Sequence, residues 1–122
     1  MGEHHLFVYG SLMRGFQYHD LLMGAVFLRP ATTAPVWTLL DLGRYPAVVE
    51  GEQGIHGELY RVSTALLAEV DQLEGCPDLY RRELAAMDDG AEAFIYCLQP
   101  RHVPRPLPII PGGSWRDYRQ RG

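Results

Sequence analysis

The chain has 122 residues, with 11 Lys and Arg against 15 Asp and Glu and a formal charge of −4 with histidines neutral. That length supports one domain, residues 1–122, whose core needs neither disulfides nor a metal, and the acidic balance offers no basic field to nucleic acid or anionic lipid. No apolar run approaches bilayer length, and the start, Met1-Gly2-Glu3-His4-His5, lacks a basic leader, so a soluble cytoplasmic monomer is expected, with no membrane partner.

Leu6-Phe7-Val8-Tyr9 reads as a short buried strand that Gly10-Ser11 breaks. Met13 to Met23 gives a short helical pattern with Phe16, Leu21 and Leu22 apolar. Ala25–Leu28 and Val36–Leu42 read as strands, joined by a Thr/Pro-rich stretch. Gly43-Arg44-Tyr45-Pro46 is a turn before the short apolar run Ala47-Val48-Val49. A second turn over Glu50–Gly54 precedes Ile55–Val62, which alternates as a half-buried strand does. Ser63 or Thr64 can cap the following helix, in which Leu66, Leu67, Val70 and Leu73 form an apolar stripe. Leu73-Glu74-Gly75-Cys76-Pro77 ends that helix abruptly.

Tyr80–Leu84 and Ala93–Leu98 are strands around an Asp88-Asp89-Gly90 hairpin turn. Pro100 to Pro111 is proline-rich and extended, and Ser114 caps a short terminal helix carrying Trp115 and Tyr118. Many short strands with few helices define an α+β fold, most simply a small mixed β-barrel or curled sheet with short flanking helices.

Two features carry chemistry. A Gly-Ser turn after a core strand leaves several N–H groups unpaired, an arrangement that binds a carboxylate, a phosphate or a developing oxyanion. Glu74, at a helix C-terminus, sits where the macrodipole disfavours negative charge and favours the protonated form. Taken by position alone, Glu74 reads sooner as an exposed carboxylate at a frayed helix end, Tyr9 as a core aromatic and Ser11 as a turn former; the resemblance that follows reverses the reading of Glu74.

The ordered set Phe7-Val8-Tyr9-Gly10-Ser11-Leu12, Tyr45-Pro46-Ala47, Gly57-Glu58-Leu59-Tyr60 and Leu73-Glu74-Gly75-Cys76-Pro77-Asp78-Leu79-Tyr80-Arg81-Arg82 resembles the γ-glutamylcyclotransferase-like superfamily. Within it, the set is most similar to the γ-glutamylamine cyclotransferase and AIG2-like branch. The resemblance implies a mixed β-barrel that releases 5-oxoproline from a γ-glutamyl amide without metal or cofactor. It implies Glu74 as general acid/base, and a small-molecule γ-glutamyl substrate held by Tyr9, Gly10, Ser11 and Leu12. Tyr80 either packs or reaches the substrate carboxylate or Glu74 with its hydroxyl. The alternative on the same fold is a non-catalytic module that captures a small molecule or displays the Pro104–Pro111 segment.

The leaving amine is expected between Tyr45, Tyr80, Trp115 and Tyr118, with Arg44, Arg81 and Arg82 as the cations near enough in sequence to turn inward. Adjacent His4 and His5 point to opposite faces of a strand and cannot share a metal. His19 either lines the pocket or lies on the surface, and His56 and His102 have no partner at ligand spacing. Spacing permits a disulfide between Cys76 and Cys97, but free thiols are expected, with Cys76 structural and somewhat reactive. Arg105 to Pro111 fits the pattern of a ligand for SH3 domains and equally a segment packed over the fold.

Overall fold

The computed structural model describes residues 2–103 and 106–121. At its centre is β1 (Glu3–Val8), where Leu6, Phe7 and Val8 are buried in succession. Three consecutive buried residues require cover on both faces of a strand. β1 pairs antiparallel with β5 (His56–Ser63), placing Leu6 opposite Tyr60, and parallel with β7 (Glu92–Leu98) at Leu6 and Phe94. Outside these lie β2 (Val26–Thr32) on β5 and β6 (Tyr80–Ala86) on β7, giving the order β2-β5-β1-β7-β6. β3 (Trp37–Asp41) and β4 (Pro46–Glu50) form a separate hairpin, with β4 against β7.

The expected barrel does not form, because the sheet is not closed. Its edge strands β2 and β6 meet only just beyond their ends, at a bridge between Thr33 and Met87 flanked by two backbone hydrogen bonds of 2.8 and 2.9 Å. An irregularity between Phe27 and Arg29 shifts the β2–β5 register, and the hairpin packs as a second small layer instead of completing a ring.

The segment expected to be helical after β1 instead makes successive tight turns, Met13 N–H to Gly10 C=O and Phe16 N–H to Met13 C=O, before a four-residue 3₁₀ turn at His19–Leu22. Its apolar residues, spaced by five and one, define no single helical face. The backbone N–H of Arg14 is also taken by the Glu58 carboxylate.

Helix α1 (Thr64–Leu73) is capped by Ser63, whose hydroxyl accepts from Leu66 N–H at 3.0 Å. Leu66, Leu67 and Val70 are buried, but Leu73, the fourth residue of the expected stripe, stays 40% exposed. Beyond β7 the chain is not simply extended. A 3₁₀ turn covers Pro100–His102, and Pro108 C=O and Ile110 N–H bond to Asp41 and Leu39 of β3. Pro104 and Arg105 lie outside the described residues. The Pro106–Ile110 part of the candidate display segment is therefore strapped to the hairpin by these two bonds. Helix α2 (Trp115–Arg121) starts at Ser114, whose hydroxyl accepts from Asp117 N–H.

Candidate active site

The end of α1 is a Schellman motif. Gly75 N–H bonds to Gln72 C=O at 3.1 Å and Cys76 N–H to Asp71 C=O at 3.0 Å, with Gly75 at φ +68°. A side chain at Gly75 would be strained, so the Glu-Gly pair fixes the turn and leaves Glu74 as the last residue with helical geometry.

That turn sets Glu74 in the wall of a cavity of about 210 Å³. The opposite wall is the end of β1 and the loop Tyr9-Gly10-Ser11-Leu12; Tyr45 and Pro46 come from the hairpin turn, Leu79 and Tyr80 from the entry to β6, and Tyr96 from β7. All six residues expected in the site from sequence therefore line one cavity. It is smaller than the roughly 300–1,000 Å³ usual for drug-sized ligands. An amino-acid-sized group matches it better.

The loop has the expected free donors: among the described residues the N–H groups of Gly10, Ser11 and Leu12 find no backbone acceptor. Gly10 is needed for close approach, since a Cβ there would lie 2.8 Å from Pro46 Cδ. His19 does not line the cavity. Its Nδ1 lies 2.9 Å from Leu12 C=O and supports the loop from behind.

Tyr9 contributes its ring but not a free hydroxyl. That group donates to Tyr96 C=O at 2.7 Å and accepts from Val48 N–H at 3.2 Å, pinning the loop between β7 and β4. Tyr80 donates to Pro46 C=O at 3.2 Å. Burial first, then the charge of Glu74 among smaller causes, pushes both phenols above their ordinary range, so they stay neutral donors.

Glu74 is the single charged side chain in the lining. Burial raises its carboxyl from the ordinary 4.5 to about 7, and no donor among the described residues reaches it. Loss of water is the cause of that rise, and Glu74 also caps the C-terminus of α1, where the macrodipole favours the protonated form in the same direction. Asp71, one turn earlier, contrasts with it: its carboxylate accepts from Tyr96 Oη at 2.6 Å and pairs with Arg82.

Other expected wall residues lie elsewhere. Trp115 is buried in the core, where it anchors α2, and Tyr118 donates to Asp41 at 2.6 Å beside a different groove. Arg81 pairs with Glu83, Arg82 with Asp71, and Arg44 is exposed, so among the described residues no cation enters the lining. Both cysteines are free, and burial pushes the Cys76 thiol up to about 11, away from the thiolate form that reacts. Among the described residues no three His, Cys, Asp or Glu side chains are grouped to hold a metal ion.

The residue that sequence reasoning missed is Glu58. Only 5% exposed, it accepts from Arg14 N–H at 3.0 Å, Arg14 Nε at 3.4 Å, Tyr60 Oη at 2.9 Å and Arg116 Nη2 at 3.1 Å. The signal was present: Glu58 shares its strand phase with Tyr60 and Val62, both buried. An acid in phase with core residues needs partners, and here they tie the loop after Leu12 to β5 and α2.

The amide loop Gly10–Leu12 and the buried carboxyl of Glu74 thus line one cavity of amino-acid size. Residues 6–117 match the family described as Gamma-glutamyl cyclotransferase, AIG2-like. A Vibrio cholerae protein provisionally named gamma-glutamylcyclotransferase is 41% identical over 113 residues, covering 93% of this chain and 96% of that one. The gamma-glutamylcyclotransferase family protein YtfP of Escherichia coli K12 is 36% identical over 115 residues, 92% and 96% of the two chains. The solution structure of E. coli ytfP superposes with a TM-score of 0.70 over 93% of this chain and 98% of that one. An AIG2-like protein of Mus musculus has the same fold, with a TM-score of 0.78 at 24% identity over 94% and 89%. The chain belongs to the AIG2-like γ-glutamyl cyclotransferase family. Among the described residues no helix is long and apolar enough to cross a membrane.

Proposed function

We propose that this protein is a γ-glutamyl cyclotransferase that converts a γ-glutamyl amide to 5-oxoproline and a free amine, with Glu74 as general acid/base. The supporting observation is the carboxyl of Glu74, raised by burial to about 7, in one cavity with the amide loop Gly10–Leu12.

The substrate carries its own nucleophile. Its α-ammonium gives a proton to Glu74, and the freed nitrogen attacks the γ-carbonyl carbon to close a five-membered ring. The tetrahedral oxyanion and the α-carboxylate call for N–H donors, which the loop supplies. Glu74 then returns that proton to the amide nitrogen as its bond to the carbonyl carbon breaks, and the second proton that the ring nitrogen sheds on acylation passes through the same carboxylate to the departing amine, which leaves as an ammonium beside a neutral lactam. Ionisable near neutrality, such a carboxyl accepts and gives a proton with little penalty in either direction. Holding the chain curled supplies roughly 7–11 kcal/mol of the barrier reduction. Tyr9 and Tyr80 shape the pocket and fix the loop and the hairpin turn around the substrate.

The reading takes residues 1–122 as one catalytic unit and favours an amine over an amino acid as leaving group, because among the described residues no cation lines the cavity to meet a second carboxylate. The test assays γ-glutamyl amines, γ-glutamyl peptides and γ-glutamylated antibiotics for 5-oxoproline with wild-type protein and Glu74→Gln. Release by the wild type that falls at least about a hundredfold in the variant supports the assignment. Undiminished release in the variant removes Glu74 from the role, and binding without release in every class makes the protein a capture module.

A further inference from the structure

The directions of the free Ser11 and Leu12 amides are set from behind the cavity. In a trans peptide the N–H points opposite to the C=O of the preceding residue, so Ser11 N–H follows Gly10 C=O and Leu12 N–H follows Ser11 C=O. Gly10 C=O accepts from Met13 N–H at 3.0 Å, and Ser11 C=O accepts from Tyr18 N–H at 2.9 Å. The orientation of both donors therefore depends on where residues 13–18 lie. That stretch turns through Gly15, at φ +87°, whose backbone freedom gives it little stiffness of its own.

One side chain from α2 holds this stretch at two points. Arg116 Nη2 donates to Arg14 C=O at 2.8 Å and to Glu58 at 3.1 Å, and Glu58 in turn accepts Arg14 N–H at 3.0 Å. The backbone of Arg14 is thus gripped at both its N–H and its C=O. The same guanidinium lies over the Phe16 ring, with Cζ 5.1 Å from the centroid. A planar fork of donors can bridge two acceptors and stack on a ring at once, which an ammonium cannot. Arg116 is itself held in place by its neighbour Trp115, whose indole is buried in the core. No described residue of α2 lines the cavity, so Arg116 acts on donors that it does not touch.

We propose that Arg116 is a positioning residue for the cyclisation: from α2 it holds Arg14 and Phe16 so that the free N–H groups of Ser11 and Leu12 keep one orientation. This inference rests on the cyclotransferase reading, and its test separates the two. Preorganised donors stabilise an oxyanion only while they stay aimed at it, so a loosened loop loses rate although Glu74 is untouched. Arg116→Ala is expected to lower kcat/KM for 5-oxoproline release from a γ-glutamyl alkylamide roughly 10- to 100-fold. Millimolar guanidinium, entering the space of the missing side chain, should restore part of that loss and leave the wild type unchanged. Tyr118→Phe, which removes the hydrogen bond from α2 to Asp41 but keeps Arg116, should stay close to wild type.

N-alkyl glutaramates, which lack the α-amine and cannot cyclise, are titrated calorimetrically in parallel, because their carboxylate also calls on the loop amides. Wild-type kcat/KM in folded Arg116→Ala overturns the positioning role and leaves the cyclotransferase reading standing. Where the alanine variant does not fold, Arg116→Lys is read in its place, and an undiminished rate there overturns the role as well. A loss that guanidinium does not relieve, or that Tyr118→Phe reproduces, makes Arg116 a contact of the fold alone and overturns it too. No release from any γ-glutamyl amide by the wild type removes the cyclotransferase reading. Glutaramate affinity then decides: a fall in Arg116→Ala that guanidinium reverses keeps the positioning of the loop, and equal affinity overturns it.

Discussion

Glu58 and Glu74 are the same side chain in two opposite environments. Glu58 sits in β5, 5% exposed, with donors from Arg14, Tyr60 and Arg116 around its carboxylate. Glu74 ends α1 in the wall of a cavity, where burial raises its carboxyl to about 7 with no donor among the described residues. Burying a carboxylate costs free energy that hydrogen bonds and counter-ions offset. At Glu58 they are supplied, and the result is a fixed tie between a loop and two elements of the fold. At Glu74 they are withheld, and the result is a group that exchanges protons near neutral pH. Satisfaction of the carboxylate, more than burial, separates the structural acid from the chemical one.

The sharpest break of the comparison is Glu74→Gln, which keeps the shape and removes the titration. A fall in kcat of about 10²–10⁴-fold is expected, with glutaramate binding retained; single-turnover kinetics and calorimetry read the two quantities.

The same substitution has a stability signature. The folded carboxyl, at about 7, is raised above its ordinary 4.5, so its contribution is intact below about pH 4.5 and is lost as pH rises through about 7. At pH 8 Glu74→Gln should therefore unfold with roughly 3 kcal/mol more free energy than the wild type, by the conversion of about 1.36 kcal/mol per pH unit. Urea titrations at pH 8 and pH 4.5 check this, and the gap should close at the lower pH.

Glu58→Ala should move in the other direction. It strands Arg14 N–H and the Tyr60 hydroxyl, whereas the Arg14 and Arg116 side chains, 55% and 37% exposed, can turn to water. A loss of about 2–3 kcal/mol follows from buried donors left unmade. Glu58→Gln, which still accepts from both, should lose less. Equal losses for the two variants would show that charge, not hydrogen bonding, holds the loop.

Most strands, the Ser63 cap and the Glu74-Gly75 stop were legible because each is a local signal: alternation, a capping hydroxyl, a glycine that ends a helix. The family resemblance led to the same cavity through Tyr9, Gly10, Ser11, Leu12, Glu74 and Tyr80. What depended on long-range packing was not legible. Trp115 and Tyr118 looked like pocket walls, but burial of the Trp115 indole and the Tyr118–Asp41 hydrogen bond direct them elsewhere. Leu73 fits a core stripe by spacing, and only the cavity beside it explains its exposure. Barrel closure turns on whether two edge strands meet along their lengths, which no local pattern encodes. Glu58 was readable by its phase, but its partners Arg14 and Arg116 are 44 and 58 residues away in sequence.

The pH dependence of kcat/KM for 5-oxoproline release from a γ-glutamyl alkylamide tests the central claim most directly. With Glu74 as the proton acceptor, the acid side of the profile should fall with a midpoint near 7, the value its burial sets. A profile that stays flat down to pH 5 would contradict the account, because a carboxyl already ionised there cannot be the one that burial holds protonated in this cavity.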